Sequence, residues 1–288
     1  MSIREKGYHK WDQELKSGGI AWLPMFFNGI KTAFKKKYAK AFFAFTISPF
    51  LIFLAGIYIS TKPELKMFSE IVRLLKTDAR FFAAFFTNGF TYFMLVLLCV
   101  FVFAEMISGD LQFNSFPLYF SRPLDRKDYV LGKLSVIMFY MLLFTLVPGI
   151  LLLLFKFIFT GTFSVEPRVV LGIIVLPILI SAFFSSITLM FSSLSANGKY
   201  VKIIIFVLFF LSNGISEMLK GIFRNTYFNL FSFPRNLEQM GAYIFNSRPA
   251  FSVPGWISLL IIAGLTVLSF LVIFKKIGKS EAQIEIGS

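Results

Sequence analysis

Residues 104 to 134 set Glu105, Asp110, Arg122, Arg126 and Lys133 among Phe116, Leu118, Tyr119 and Pro123, between two long apolar runs. Such a mixture of charge, turn-forming proline and aromatics on a short segment suits docking to a partner surface better than bond chemistry. Other residues able to do chemistry are sparse. "GKS" at 278–280 has the ending of a phosphate-binding loop, but that loop needs a glycine five residues before Gly278, and Ile273 stands there. One histidine, His9, and one cysteine, Cys99, exclude an intrachain disulfide and a His/Cys metal cluster. Neither an HExxH nor a Gly-x-Ser-x-Gly elbow occurs, and apart from Glu105 and Glu217 near span ends the apolar runs hold no acid. Ser181, Ser185, Thr188, Ser192 and Ser195 follow steps that place them within about 80° of one helix face. Such a stripe either lines a substrate path or packs closely against neighbouring helices.

The elements that must position these groups are membrane spans. The 288 residues are 57% hydrophobic and include 40 Phe, with a mean hydropathy of +0.75. Six runs long enough to cross a bilayer are read at about 39–60, 81–104, 129–155, 168–194, 201–219 and 255–276. The fold class expected is an all-α integral membrane protein, not a β-barrel, whose strands would be short and alternating. Pro148 and Pro177 fall inside the third and fourth spans, where bundles tolerate kinks. Lys156 reads as a snorkelling residue at the end of the third span. The net charge of +14 fits basic flanks on anionic lipid rather than nucleic acid.

With an even number of spans both termini lie on one side. On that side fall the residues up to 40, the loop through 133, the turn at 199–202 and the tail from 275, which together carry 18 of the 29 Lys and Arg. The positive-inside rule therefore puts both termini and the 105–128 loop of a multi-pass protein in the cytoplasm. The first 20 residues lack the apolar core of a cleavable signal.

Residues 21–38 predict a basic amphipathic helix in the interface. Trp22, Phe26, Phe27, Ile30, Ala33, Phe34 and Tyr38 lie on one side, with Asn28, Lys31, Thr32 and Lys35 on the other. Lys37 interrupts the apolar arc. Segment 220–254, polar yet rich in Phe, is expected on the outer face as short interfacial or re-entrant helices, with one helix around "RNLEQMGAYIF". The organisation is then a 1–38 cytoplasmic and interfacial segment, a 39–278 six-helix domain, and a 279–288 cytoplasmic tail.

In 104–134, "SGDL" breaks the helix, Pro123 favours a turn, and Asp125 is placed to cap the next helix. The segment resembles the first cytoplasmic loop of bacterial type-2 ABC exporter permeases through Asp110, Leu118, Ser121-Arg122-Pro123, Arg126, Tyr129 and Gly132-Lys133. "FSSLSANGKY" is similar to the family's fourth-span ending, and Asn114 stands where the family usually has Gly. The resemblance implies a multi-pass permease of a bacterial inner membrane, not itself an enzyme, with a coupling helix that docks on a separate cytoplasmic ATPase subunit. Phe116, Leu118 and Tyr119 would insert; Glu105, Arg122 and Arg126 would be polar contacts or braces. ATP and magnesium would reside on the partner, with no cofactor on this chain. A second permease copy, identical or not, would complete the path. Two other classes stay open: a secondary transporter or channel acting alone, and an ABC-linked scaffold pulling on an extracytoplasmic partner. No side-chain set names a substrate.

Overall fold

The structure, a computed structural model, describes residues 21–36, 39–60, 77–120, 124–161 and 165–286. All regular structure among them is helical, and six helices are long and apolar enough to span a membrane. They are Ala39–Ser60, Asp78–Gln112, Arg126–Thr160, Pro167–Leu194, Gly198–Phe223 and Gly255–Gly278. The chain is thus a six-span, all-helical membrane protein. Each span matches one expected from hydropathy, because an uninterrupted apolar run of this length has no other way to satisfy its backbone in lipid.

Spans two and four form the centre. In their most apolar stretches 67% and 61% of residues are buried, against 22% in spans five and six, which face outward. Lipid tails are as apolar as Phe, so association here rests on close packing rather than on escape from water. The rings supply it: Phe183, Phe184 and Phe209 form one knot, with ring centroids 5.0 to 6.2 Å apart, and Phe43, Tyr140 and Phe144 form another at 4.8 to 5.4 Å. Pro148 and Pro177 lie inside continuous helices. Span two, read from sequence as one helix, is broken at Asn88. The Asn88 side chain accepts from the Phe90 and Thr91 N–H groups and donates to the Ala84 and Phe85 carbonyls. One amide thus satisfies both broken ends, as a break inside a bilayer requires.

The interfacial helix, Leu23–Lys35, lays its apolar side on span three rather than on lipid alone. Gly29 and Gly132 permit the approach: a Cβ on Gly29 would lie 2.5 Å from Val136 Cγ2, and one on Gly132 would lie 2.7 Å from Met25 Sδ. Phe26 meets Phe139, Phe34 meets Tyr140, and the Tyr140 hydroxyl donates to the Ile30 carbonyl. Lys37 and Tyr38 lie outside the described residues.

Segment 220–254 folds back along the bundle. After span five the chain runs back along it as a 3₁₀ helix, Thr226–Phe231, with Ser216 Oγ donating to the Phe228 carbonyl and Ser232 Oγ to Asn213 Oδ1. Phe233 then sits against Phe183 and Phe209, and the helix Phe233–Ile244 follows. Gly241 admits Thr87, and Gly172 admits the Phe245 ring. Buried Asn236 and Gln239 satisfy carbonyls at Leu230 and Phe251, so the segment leaves few orphaned groups.

Candidate functional site

The described parts of the 105–128 loop, residues 105–120 and 124–128, are folded against the bundle. Its first helix, Ser108–Gln112, begins where Ser192 Oγ of span four accepts from the Ile107 and Ser108 N–H groups at 2.9 and 3.0 Å. It ends in a paired turn: Asn114 N–H donates to the Leu111 carbonyl and Ser115 N–H to the Asp110 carbonyl. Asn114 there adopts φ 48°, the left-handed conformation that glycine takes most easily and asparagine tolerates. The second helix, Phe116–Phe120, follows at once, and Asp125 opens span three with Asp128 in a reciprocal capping box.

A charge knot locks the two short helices to span three. Asp110 Oδ2 accepts from the Tyr129 hydroxyl at 2.6 Å and pairs with Lys133 Nζ at 2.7 Å. Lys133 also lies 5.6 Å from the ring centres of both Tyr119 and Tyr129, within cation–π range. Burial, reinforced by the Asp110 carboxylate that its hydroxyl faces, pushes the Tyr119 phenol up to about 12. Phe116 is buried against Tyr129, at 5.4 Å between ring centres. What the loop offers outward is instead Phe113, 77% exposed, and Leu118, 54% exposed. Of the three residues expected to insert into a partner, Leu118 projects, Phe116 is internal, and Tyr119 belongs to the knot.

Glu105 acts as a brace. Its carboxylate pairs with Lys202 at 2.5 Å and Lys36 at 3.5 Å, joining span two to the start of span five and to the end of the interfacial helix. Lys36 Nζ also donates to the Val102 carbonyl. Burial pulls its ammonium below the usual lysine range, outweighing the attraction of Glu105. Gly198 explains its own identity here, since a Cβ would come 2.7 Å from Glu105 Cγ. Arg126 packs on Gly278 of the last helix, where a Cβ would meet its Nη1 at 2.7 Å. The "GKS" sequence lies within that continuous helix, Gly255–Ile286, not in a strand–loop–helix turn. Arg122 and Pro123 lie outside the described residues.

The hydroxyl stripe splits by role. Ser181, Ser185, Thr188 and Ser192 are fully buried inside one chain, and Ser195 lies at the helix end. Ser185 Oγ donates to the Ala182 carbonyl, and Ser192 caps the start of the 105–128 loop. Within this chain the stripe is a packing face with a cap at its end. Lys156, read as a snorkelling residue, is ion-paired with Asp78 and so ties span three to span two.

Sequence reasoning missed Phe113, Lys36 and Lys202. The signal for Phe113 was present: it ends a five-residue helix beside a left-handed Asn, a position whose side chain has no neighbouring turn to cover it. No known protein family matches the chain, and no curated protein is detectably similar to it.

Proposed function

We propose that this six-span protein is the permease subunit of an ATP-binding cassette transporter, acting as an exporter and driven by a separate ATPase that docks on the 105–128 loop. The observation that carries this reading is the loop itself. It is held rigid by Asp110, Lys133, Tyr129 and the Ser192 cap, while Phe113 and Leu118 stand outward. An apolar pair on a braced element can transmit a push; a floppy connector would absorb it. The Arg126, Tyr129 and Gly132-Lys133 pattern, the interfacial helix and the 220–254 segment before span six support the same family likeness. In this reading the loop and both termini are cytoplasmic, ATP and magnesium are bound by the partner, and a second permease copy, identical or not, faces this one. The chain itself performs no bond chemistry.

An ion-coupled carrier is less well supported, because the two carboxylates that fall within the apolar runs, Glu105 and Glu217, are already spent. Glu105 holds two lysines, and Glu217 holds Arg235 at 3.1 Å and Lys220 at 3.6 Å.

The test is a photo-crosslinking residue placed at position 113 or 118 in native membranes. It should capture a phosphate-loop ATPase, and Phe113→Glu with Leu118→Glu should abolish co-purification of that subunit. Movement of a substrate by the homogeneous chain in vesicles, without any ATPase, would overturn the proposal.

A further inference from the structure

At the end of the bundle opposite the 105–128 loop, the ends of spans two, three and four enclose an open cavity of about 700 Å³. A second cavity of about 430 Å³ adjoins it, and Arg80, Ser247 and Arg248 line both. Span three is 35 residues long, roughly 52 Å at 1.5 Å per residue, against about 30 Å of hydrocarbon. Lys156, near its end, and the cavity beside it therefore lie at headgroup depth.

The charges there are arranged unequally. Lys156 and Asp78 neutralise one another. Arg168 and Arg235 are spent elsewhere: Arg168 on the Tyr243 and Ile244 carbonyls, Arg235 on Glu217 and Glu238. Arg80 and Arg248 are exposed and have no hydrogen-bond or ion-pair partner among the described residues. Arg248 is also held in place. The helix Phe233–Ile244 ends in a turn with Asn246 at φ 53° and Ser247 N–H donating to the Ala242 carbonyl, and Arg248 follows directly. Two unspent guanidinium forks at one cavity, one on a fixed turn and one in the first turn of span two, are the donor set that oxyanions select.

We propose that this cavity binds a phosphodiester through Arg80 and Arg248. The lining sets the charge state. Arg80, Lys156 and Arg248 face Asp78 and Glu166, three cations against two carboxylates, and leave one positive charge unmatched. A monoanionic diester balances that charge; a dianionic monoester or a pyrophosphate would meet Glu166 with an excess. The diester is that of a phospholipid headgroup or of a water-soluble glycerophosphodiester, which share this chemistry.

Binding to the purified chain in an uncharged detergent, read by native mass spectrometry, separates the sources. The probes are dihexanoyl phosphatidylglycerol, glycerophosphoglycerol, and dihexanoylglycerol, which lacks phosphate. Wild type should retain the first over the third, and Arg80→Gln with Arg248→Gln should weaken that retention about tenfold or more. Lys31→Gln with Lys35→Gln, removing two exposed cations from the interfacial helix, should leave it unchanged. Equal binding of glycerophosphoglycerol would assign the site to a soluble diester; preference for the acylated probe would assign it to lipid. Should the double variant aggregate, Arg248→Gln alone, on the exposed turn, carries the same comparison. Equal retention of the phosphate-free probe, or no loss in the arginine variants, would overturn the site.

Discussion

Asp110→Ala should unlock the 105–128 loop without unfolding the bundle. The Asp110 carboxylate is 15% exposed and its Lys133 partner 12%, so little solvent screens the pair. Removing Asp110 takes the counter-charge from a largely buried ammonium and removes the carboxylate that accepts from the buried Tyr129 hydroxyl. Breaking one side of a buried ion pair costs about 3 to 5 kcal/mol, and the residual exposure here favours the lower end, about 3 kcal/mol. Because the knot joins the two short helices to span three and nothing else, the loss falls on local opening of the loop. At about 1.4 kcal/mol per decade, amide exchange in a 108–125 peptide should accelerate about a hundredfold, while peptides in spans two and four stay protected. Ser115 N–H, which closes the Asn114 turn onto the Asp110 carbonyl, is the amide to follow. A double variant, Asp110→Asn with Lys133→Met, should recover much of the loss by removing both charges together. Exchange in Asp110→Ala within twofold of wild type would refute the lock and leave the loop's rigidity to its turns alone.

The knot should also ignore ordinary changes of pH. The Tyr119 phenol is raised from 10.0 to about 12 in the folded protein, so its contribution is complete below pH 10 and lost as pH rises from 10 to about 12. Corrected exchange of the loop should accordingly stay flat to pH 10 and rise above it. Gly29→Ala should destabilise the protein by about 1 to 2 kcal/mol in thermal unfolding, because the new Cβ meets the stiff Val136 side chain at 2.5 Å. Gly132→Ala should be nearly neutral, since the obstructing atom is the adaptable Met25 sulfur. Asn114→Gly should hold or slightly improve loop protection, whereas Asn114→Ala should weaken it by about 1 kcal/mol at φ 48°.

The spans were legible because the bilayer leaves one solution for a continuous apolar run, and its ends fall where charge resumes. What hydropathy could not show was interruption within a run. Asn88 reads as a single polar residue in an apolar stretch, yet its amide both ends one helix and begins the next. Nor could composition decide how 220–254 packs. Its polarity ruled out a span, but the polar groups that gave that impression, Ser232, Asn236 and Gln239, are buried and bonded to backbone within the fold.

That the candidate site's residues share one short segment was legible in the sequence; which way each side chain faces was not, for one physical reason. A sequence motif marks residues that matter without saying whether they face inward or outward. Asp110, Tyr129 and Lys133 stand in the motif because they bond to one another, and a bonded trio needs fixed spacing: Tyr129 and Lys133, four apart on span three, fall on one helix face. A residue that only touches a partner needs exposure and apolar area, which Phe113 has outside any motif. The hydroxyl stripe follows the same logic. Its period placed Ser181, Ser185, Thr188 and Ser192 on one face correctly, but only the neighbouring helices could show that the face is buried. Ser192 is the instructive member. Two hydrogen bonds from the start of the Ser108–Gln112 helix converge on its hydroxyl, so any displacement of that helix must either drag span four or break both. Span four is the most deeply packed span apart from span two, so breaking two hydrogen bonds, at about 1 kcal/mol each, is the cheaper course, and a displaced helix parts from Ser192.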